Sequence, residues 1–150
     1  MLPEESTIPE ALLSYIEGLK THDIDRIAST FSDDIRFVTP VRTMRKEQIL
    51  GFLSALYRGF PDWAYGHEAP IQEGENIFAV KWWQGGTHTG VLEFPGFDGV
   101  APTGKKVSIP EHFFHYTVVD NRLTVIRPDP IPGGAPRGIF EQIGVEVPPL

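Results

Sequence analysis

The sequence predicts an α+β domain: about three N-terminal helices packed against one face of a curved antiparallel sheet. Apolar residues recur at helical spacing as far as Phe60. From Trp63 onward they give way to stretches rich in β-branched and aromatic residues, separated by Gly, Pro, Asp and Asn. The length, 150 residues, fits one domain spanning residues 1–150, and a chain of that size can bury a sufficient core without a disulfide or metal staple.

Each element has its own signal. Thr7-Ile8-Pro9-Glu10 reads as a helix start: Thr7 caps, Pro9 sits where its missing N–H is no loss, and Glu10 closes a capping box. Leu12, Leu13, Ile16 and Leu19 follow on one face. Thr21 to Asp23 breaks that helix and caps a second, in which Ile24, Ile27 and Phe31 share a face. Ser32-Asp33-Asp34 reads as a turn, and Ile35 to Thr39 as a short strand ending at Pro40. Thr43 is expected to cap a third helix, whose apolar stripe runs from Ile49 to Phe60 and stops at Pro61-Asp62. Strands are expected within 63–71, 76–92, 105–119 and 122–127. Asp120-Asn121 makes the turn between the last two, because both residues tolerate positive φ. Residues 93–104 carry three glycines and two prolines and read as a loop, as does the run from Pro128 to Gly134. Arg137 to Gly144 forms a last short helix with Ile139, Phe140 and Ile143 inward.

Composition excludes several functions. Lys+Arg 13 against Asp+Glu 20 leaves a net charge of −7, and no basic cluster is denser than Arg42, Arg45 and Lys46, so nucleic acid is not an expected partner. The absence of cysteine removes disulfides, thiolate metal sites and a cysteine nucleophile. Met1-Leu2-Pro3-Glu4-Glu5 lacks the charged and apolar regions of a signal peptide. No apolar run approaches the roughly 18 residues of a membrane span. A cytoplasmic protein that does not engage a membrane is the expectation.

The chemistry-bearing motifs are few. His112-Phe113-Phe114-His115 places two histidines three apart, but the segment alternates like a strand, so they point to opposite faces and do not chelate a metal. One face would carry His112, Phe114 and Tyr116; the other, Glu111, Phe113 and His115. Gly85-Gly86-Thr87-His88-Thr89-Gly90 lacks the ending and the strand–helix setting of a phosphate loop and reads as a strand with a sharp bend. No Gly-x-Ser-x-Gly elbow occurs. Asp129 stands apart from the other aspartates, because it follows the last strand between two prolines that restrict its backbone.

Four short stretches carry a resemblance. Ala79-Val80-Lys81-Trp82 followed by Gly86-Thr87-His88-Thr89-Gly90 resembles a strand of the SnoaL-like polyketide cyclases. Pro102-Thr103-Gly104-Lys105-Lys106-Val107 is similar to the segment that opens that family's next strand. Val118-Val119-Asp120-Asn121-Arg122-Leu123 resembles its hairpin, and Phe140-Glu141-Gln142-Ile143-Gly144 its closing helix. The resemblance implies the nuclear transport factor 2-like cone, with an apolar pocket between helices and sheet, and a homodimer. It also implies an aldol ring closure that needs no cofactor, run by an Asp at the end of the last strand and a His on the neighbouring strand. Counted without a gap, the family's Asp position falls on Pro128, with Asp129 one residue late, and its His position falls on Phe114. His112 lies two residues earlier on the same expected face.

Three functions are open at this stage. The first is a cofactor-free lyase, cyclase or isomerase acting on a small apolar carbonyl compound. Asp129 and His112 are its catalytic candidates, and Tyr15, Phe37, Tyr57, Phe60, Trp63, Phe114, Tyr116 and Ile126 its ligand-binding candidates. The second is a non-catalytic protein that holds a small apolar molecule in the same cone, which the Pro128 and Phe114 replacements favour. The third is an interaction protein acting through its outer strands, with Phe113 and His115 exposed.

Overall fold

The computed structural model describes residues 8–94 and 99–146. Three N-terminal helices, α1 (Glu10–Thr21), α2 (Ile24–Ser29) and α3 (Lys46–Gly59), and a C-terminal α4 (Arg137–Ile143) accompany seven strands. These are β1 (Phe31–Val38), β2 (Thr43–Met44), β3 (Ala64–His67), β4 (Ile71–Gln72), β5 (Ile77–Thr87), β6 (Lys106–Val119) and β7 (Arg122–Pro128). They form one sheet in the order β2-β1-β7-β6-β5-β3, with β4 also on β5. Every pairing is antiparallel except β1 with β7.

β6 and β7 each carry an extra residue against a neighbouring strand, which bends the sheet there. Between the pairs Trp82↔His112 and Gln84↔Ile109, Pro110 and Glu111 of β6 face the single Trp83 of β5. A proline is tolerated in a long strand at such a bulge, where its missing N–H breaks no ladder bond. The bulge also switches which residues face inward. His112, Phe114, Tyr116 and Val118 face the helices on one side of it, and Ile109 and Val107 on the other. In β7, Thr124 is the extra residue between Thr117↔Val125 and Val118↔Leu123, so Leu123 and Ile126 are both fully buried despite being three apart.

Two cores result. Leu12, Tyr15, Ile16 and Leu19 of α1 pack with Ile27, Phe31 and Ile35 against Phe78, Val80, Trp82, Tyr116 and Ile126 of the sheet. Phe60 and Trp63 pack with Leu56, Leu92, Ile109 and Phe140 in the second core, between the end of α3, the far half of β5–β6 and α4. No helix among the described residues is long and apolar enough to cross a membrane.

Several element boundaries differ from the sequence reading, for local reasons. Thr7 lies outside the described residues. Pro9 itself is the residue before the first turn of α1, and the helix end is capped from afar: the Ala11 N–H donates to Asn121 Oδ1 at 2.9 Å. Thr43 does not cap α3, because Thr43 and Met44 pair with Val38 and Phe37 as β2. Arg45 takes the cap position, and its N–H donates to the Gln48 side chain at 2.9 Å. Ser32-Asp33-Asp34 is not a turn that precedes the strand: β1 runs through it, and the β1–β7 register slips between Phe31 and Arg36 to absorb the surplus residues. Asp120 and Asn121 do form the hairpin turn, at φ 51° and 56°.

Candidate functional site

The concave face of the sheet is built by three rows of side chains that the strand register sets side by side. His67 of β3, Trp82 of β5 and His112 of β6 are direct neighbours across the sheet. Val80, Phe114 and Pro128 form the next row, and Phe78, Tyr116, Ile126 and Phe37 the one after. Over this face α1 and α3 bring Tyr15 and Tyr57, and β3 brings Tyr65. All four tyrosines of the chain therefore converge in one place.

Their hydroxyls are tied together. The Trp82 indole N–H donates to the Tyr116 hydroxyl at 2.9 Å. The Tyr15 and Tyr116 rings meet edge to face, with centroids 5.5 Å apart. The Tyr57 and Tyr65 hydroxyls are 2.8 Å apart. Burial pushes all four phenols above their ordinary pKa, and at Tyr15 and Tyr65 the neighbouring tyrosines would repel the phenolate charge as well. They are protonated donors throughout the working pH range. The Tyr116 oxygen accepts from Trp82, which leaves its own hydroxyl hydrogen to donate, and when Tyr65 donates to Tyr57 the Tyr57 hydroxyl hydrogen is left over as well.

Phe37, Tyr57, Tyr65 and Phe114 point inward yet each keeps accessible surface, whereas Phe60, Leu123 and Ile126 keep none. His112 is 7% exposed. Its Nδ1 lies 2.9 Å from the Pro110 carbonyl, which only accepts, so the proton is on Nδ1 and Nε2 carries the lone pair. The β6 bulge that turns the Pro110 carbonyl back toward His112 thus selects its tautomer.

Asp129 does not join this site. Because Phe114 pairs with Pro128, the residue after it faces the other side: the Asp129 N–H donates to the Phe113 carbonyl, and its carboxylate meets His115 Nε2 at 2.8 Å on the convex face. The expected Asp129–His112 pair therefore does not form. The β7 bulge lies at Thr124, before this point, and no second one restores the register. On the convex face His115 is held from both sides, with its Nδ1 2.7 Å from Glu73 Oε1. Burial pulls its pKa down, but the hydrogen bonds to Glu73 and Asp129 and their charges outweigh it and raise the value. As the alternation of the strand requires, His112 and His115 lie on opposite faces.

Of the ligand-binding candidates, Tyr15, Phe37, Tyr57, Phe114, Tyr116 and Ile126 belong to the concave face. Phe60 and Trp63 are instead packed in the second core, 0% and 2% exposed, where Phe60 contacts Trp63 and His88. Sequence reasoning missed Tyr65, Trp82 and His67. The alternation Tyr65/His67 in β3 and Phe78/Val80/Trp82 in β5 marks one face of each strand, but only the register between strands shows that those faces coincide. Among the described residues no three His, Asp or Glu side chains gather as a metal site would need.

A family model described as a SnoaL-like domain matches residues 12–126. A comparison with curated proteins finds no match. Among solved structures, AclR from Streptomyces galilaeus, a candidate hydroxylase, superposes with a TM-score of 0.70 at 21% identity over 92% of this chain and 82% of its own. IdmH from Streptomyces antibioticus, a candidate polyketide cyclase, gives 0.62 at 20% identity over 80% and 88%. TerC, crystallised together with polyporic acid, gives 0.63 at 17% identity over 89% and 95%. At these identities the likeness is one of fold.

Proposed function

The chain belongs to the SnoaL-like domain family, and within it we propose an acid/base enzyme that acts without a cofactor on a small aromatic or apolar carbonyl compound, with His112 as the base. The observation that carries this reading is the concave face itself: an imidazole whose Nδ1 is engaged by the Pro110 carbonyl, next to Trp82, whose indole N–H is bonded to the Tyr116 hydroxyl. In this reading His112 Nε2 takes the proton from the carbon next to a substrate carbonyl. The C–H electron pair moves into an enolate, whose oxygen is held by the free hydroxyl hydrogens of Tyr116 or Tyr57. The enolate carbon then attacks a second carbonyl to close a ring, or takes a proton back at another position to give an isomer. In either case His112 returns its proton to the product. Asp129, on the convex face, plays no part in the chemistry.

The test is proton exchange, which needs no knowledge of the product. With 2-acetylnaphthalene in D2O, the protein is expected to speed loss of the methyl proton signal. His112→Gln is expected to lower that rate about 100-fold or more, the range of a general base, while Asp129→Asn leaves it unchanged. Loss of exchange in the Asp129 variant together with full exchange in the His112 variant would overturn the assignment. A second reading is favoured by one feature: Pro128 and Phe114 are apolar where the family's catalytic pair would stand. On that reading the cone binds its ligand without transforming it, and the wild type binds 2-acetylnaphthalene but exchanges nothing.

A further inference from the structure

Beside the second core lies a buried histidine that the acid/base chemistry does not use. His88, just past the end of β5, exposes none of its surface, and its ring stacks on Phe60 with centroids 5.2 Å apart. The Thr103 N–H donates to His88 Nδ1 at 3.2 Å, and the Thr103 hydroxyl lies 2.9 Å from the same nitrogen. That hydroxyl oxygen accepts from the Lys105 N–H at 3.3 Å, so its own hydrogen is available to Nδ1. Nδ1 therefore carries the lone pair and Nε2 the proton. The Nε2–H is buried with no acceptor among the described residues.

The ring sits where the end of β5, the turn before β6 and the end of α3 are joined. The His88 N–H donates to the Lys105 carbonyl at 3.0 Å, and the Gly104 N–H to the His88 carbonyl at 2.8 Å. Two residues on, the Gly90 N–H donates to the Gly59 carbonyl at 3.0 Å, and a Cβ at Gly90 would collide with the Arg58 carbonyl. Leu92 then packs on Gly59 and pairs with Val100.

A proton added at Nδ1 would meet the Thr103 N–H, donor against donor, and would put a charge where water does not reach. Burial accordingly holds His88 below its ordinary pKa, and the Val100 and Gly90 carbonyls offset only part of that. The charged groups on the elements that meet the ring are Arg58, Asp62, Glu93, Lys105 and Lys106. Asp62 accepts from the Thr87 N–H at 2.7 Å and Lys105 Nζ reaches the Ile143 carbonyl at 3.4 Å. Among the described residues none of the five forms an ion pair with His88.

We infer that His88 is an acid-released latch: its neutral ring holds the turn before β6 against the end of α3, and protonation of Nδ1 frees the Leu92–Val100 pairing from the second core. The latch is independent of the chemistry assigned to the concave face. Its folded pKa lies below the unfolded value near 6.5, so its contribution is fully present above about pH 6.5 and is lost as pH falls toward the folded pKa. The Glu73–His115–Asp129 cluster has the opposite sign, since its histidine is raised, and does not mimic the effect.

The test is amide hydrogen exchange followed by NMR, with each rate divided by its intrinsic value at that pH. Between pH 7.5 and 5.0, protection of the Leu92, Val100 and Gly104 amides is expected to fall at least tenfold. The Leu123 amide, bonded to the Thr30 carbonyl in the first core, should keep its protection. His88→Asn offers the Thr103 N–H an acceptor that cannot take a proton, and should show no such fall. Thr103→Val removes the hydroxyl that favours the neutral ring, so the fall should begin at a higher pH. This second variant keeps the test decisive should His88→Asn not fold. Unchanged protection in the wild type, an equal fall in His88→Asn, an equal fall at Leu123, or an unmoved onset in Thr103→Val would each overturn the latch.

Discussion

Replacing Tyr116 by Phe strips the buried Trp82 indole N–H of its acceptor and removes one hydroxyl from the enolate site, with almost no change of volume. An unsatisfied buried donor costs about 1–3 kcal/mol, so the urea midpoint of Tyr116→Phe is expected to fall with the slope unchanged. Tyr57→Phe should cost less, since that side chain keeps accessible surface and the Tyr65 hydroxyl can turn to water. Equal losses in the two variants would contradict the assignment of the buried bond. At this scale the sequence was partly legible. His112, Phe114 and Tyr116 were recognisable as one face of their strand from its alternation, and Tyr57 from the apolar stripe of its helix. Asp129 was not: its two flanking prolines singled it out, and only the Phe114↔Pro128 register shows that it faces away.

Between elements, the Glu73–His115–Asp129 clamp joins the turn after β4 to β6 and β7 on the convex face. Arg127 also faces His115 there, as its direct partner on β7. The folded-state pKa of His115 is raised above its unfolded value near 6.5. The clamp's contribution is therefore fully present below about pH 6.5 and is lost as pH rises through the folded pKa. The His115 side chain keeps 28% of its surface exposed, so solvent screens part of the effect. Urea midpoints of the wild type and His115→Gln at pH 5.5 and 8.5 check this: the wild type's advantage should shrink at the higher pH, and a constant gap would contradict it. The elements themselves were well marked where local chemistry dictates them, as at Asp120-Asn121 and along the stripe of α3. They were obscured where tertiary pairing overrides local signals. The sequence Ser32-Asp33-Asp34 has turn composition but is carried through β1, and Thr43 looks like a cap but is taken by β2.

For the whole molecule, the two faces of one sheet carry two different polar groupings. The concave face holds tyrosines, Trp82, His67 and His112 under the helices; the convex face holds a histidine saturated by two carboxylates. The α+β cone was readable from the order of helical and strand patterns and from four short resemblances, because those follow from local composition. The inward turn of Val107 and Ile109 was not, because the bulge at Pro110–Glu111 reverses the alternation of β6 without any mark in the periodicity. The central claim is that the concave face is where a carbonyl ligand binds. It is tested most directly by titrating 15N-labelled protein with 2-acetylnaphthalene and following amide and indole shifts. The Trp82 indole N–H and the amides of Tyr65, His112 and Phe114 should move together and saturate, with Glu73, His115 and Asp129 unmoved. Shifts centred on His115 and Asp129, with the Trp82 indole still, would place the site on the other side of the sheet.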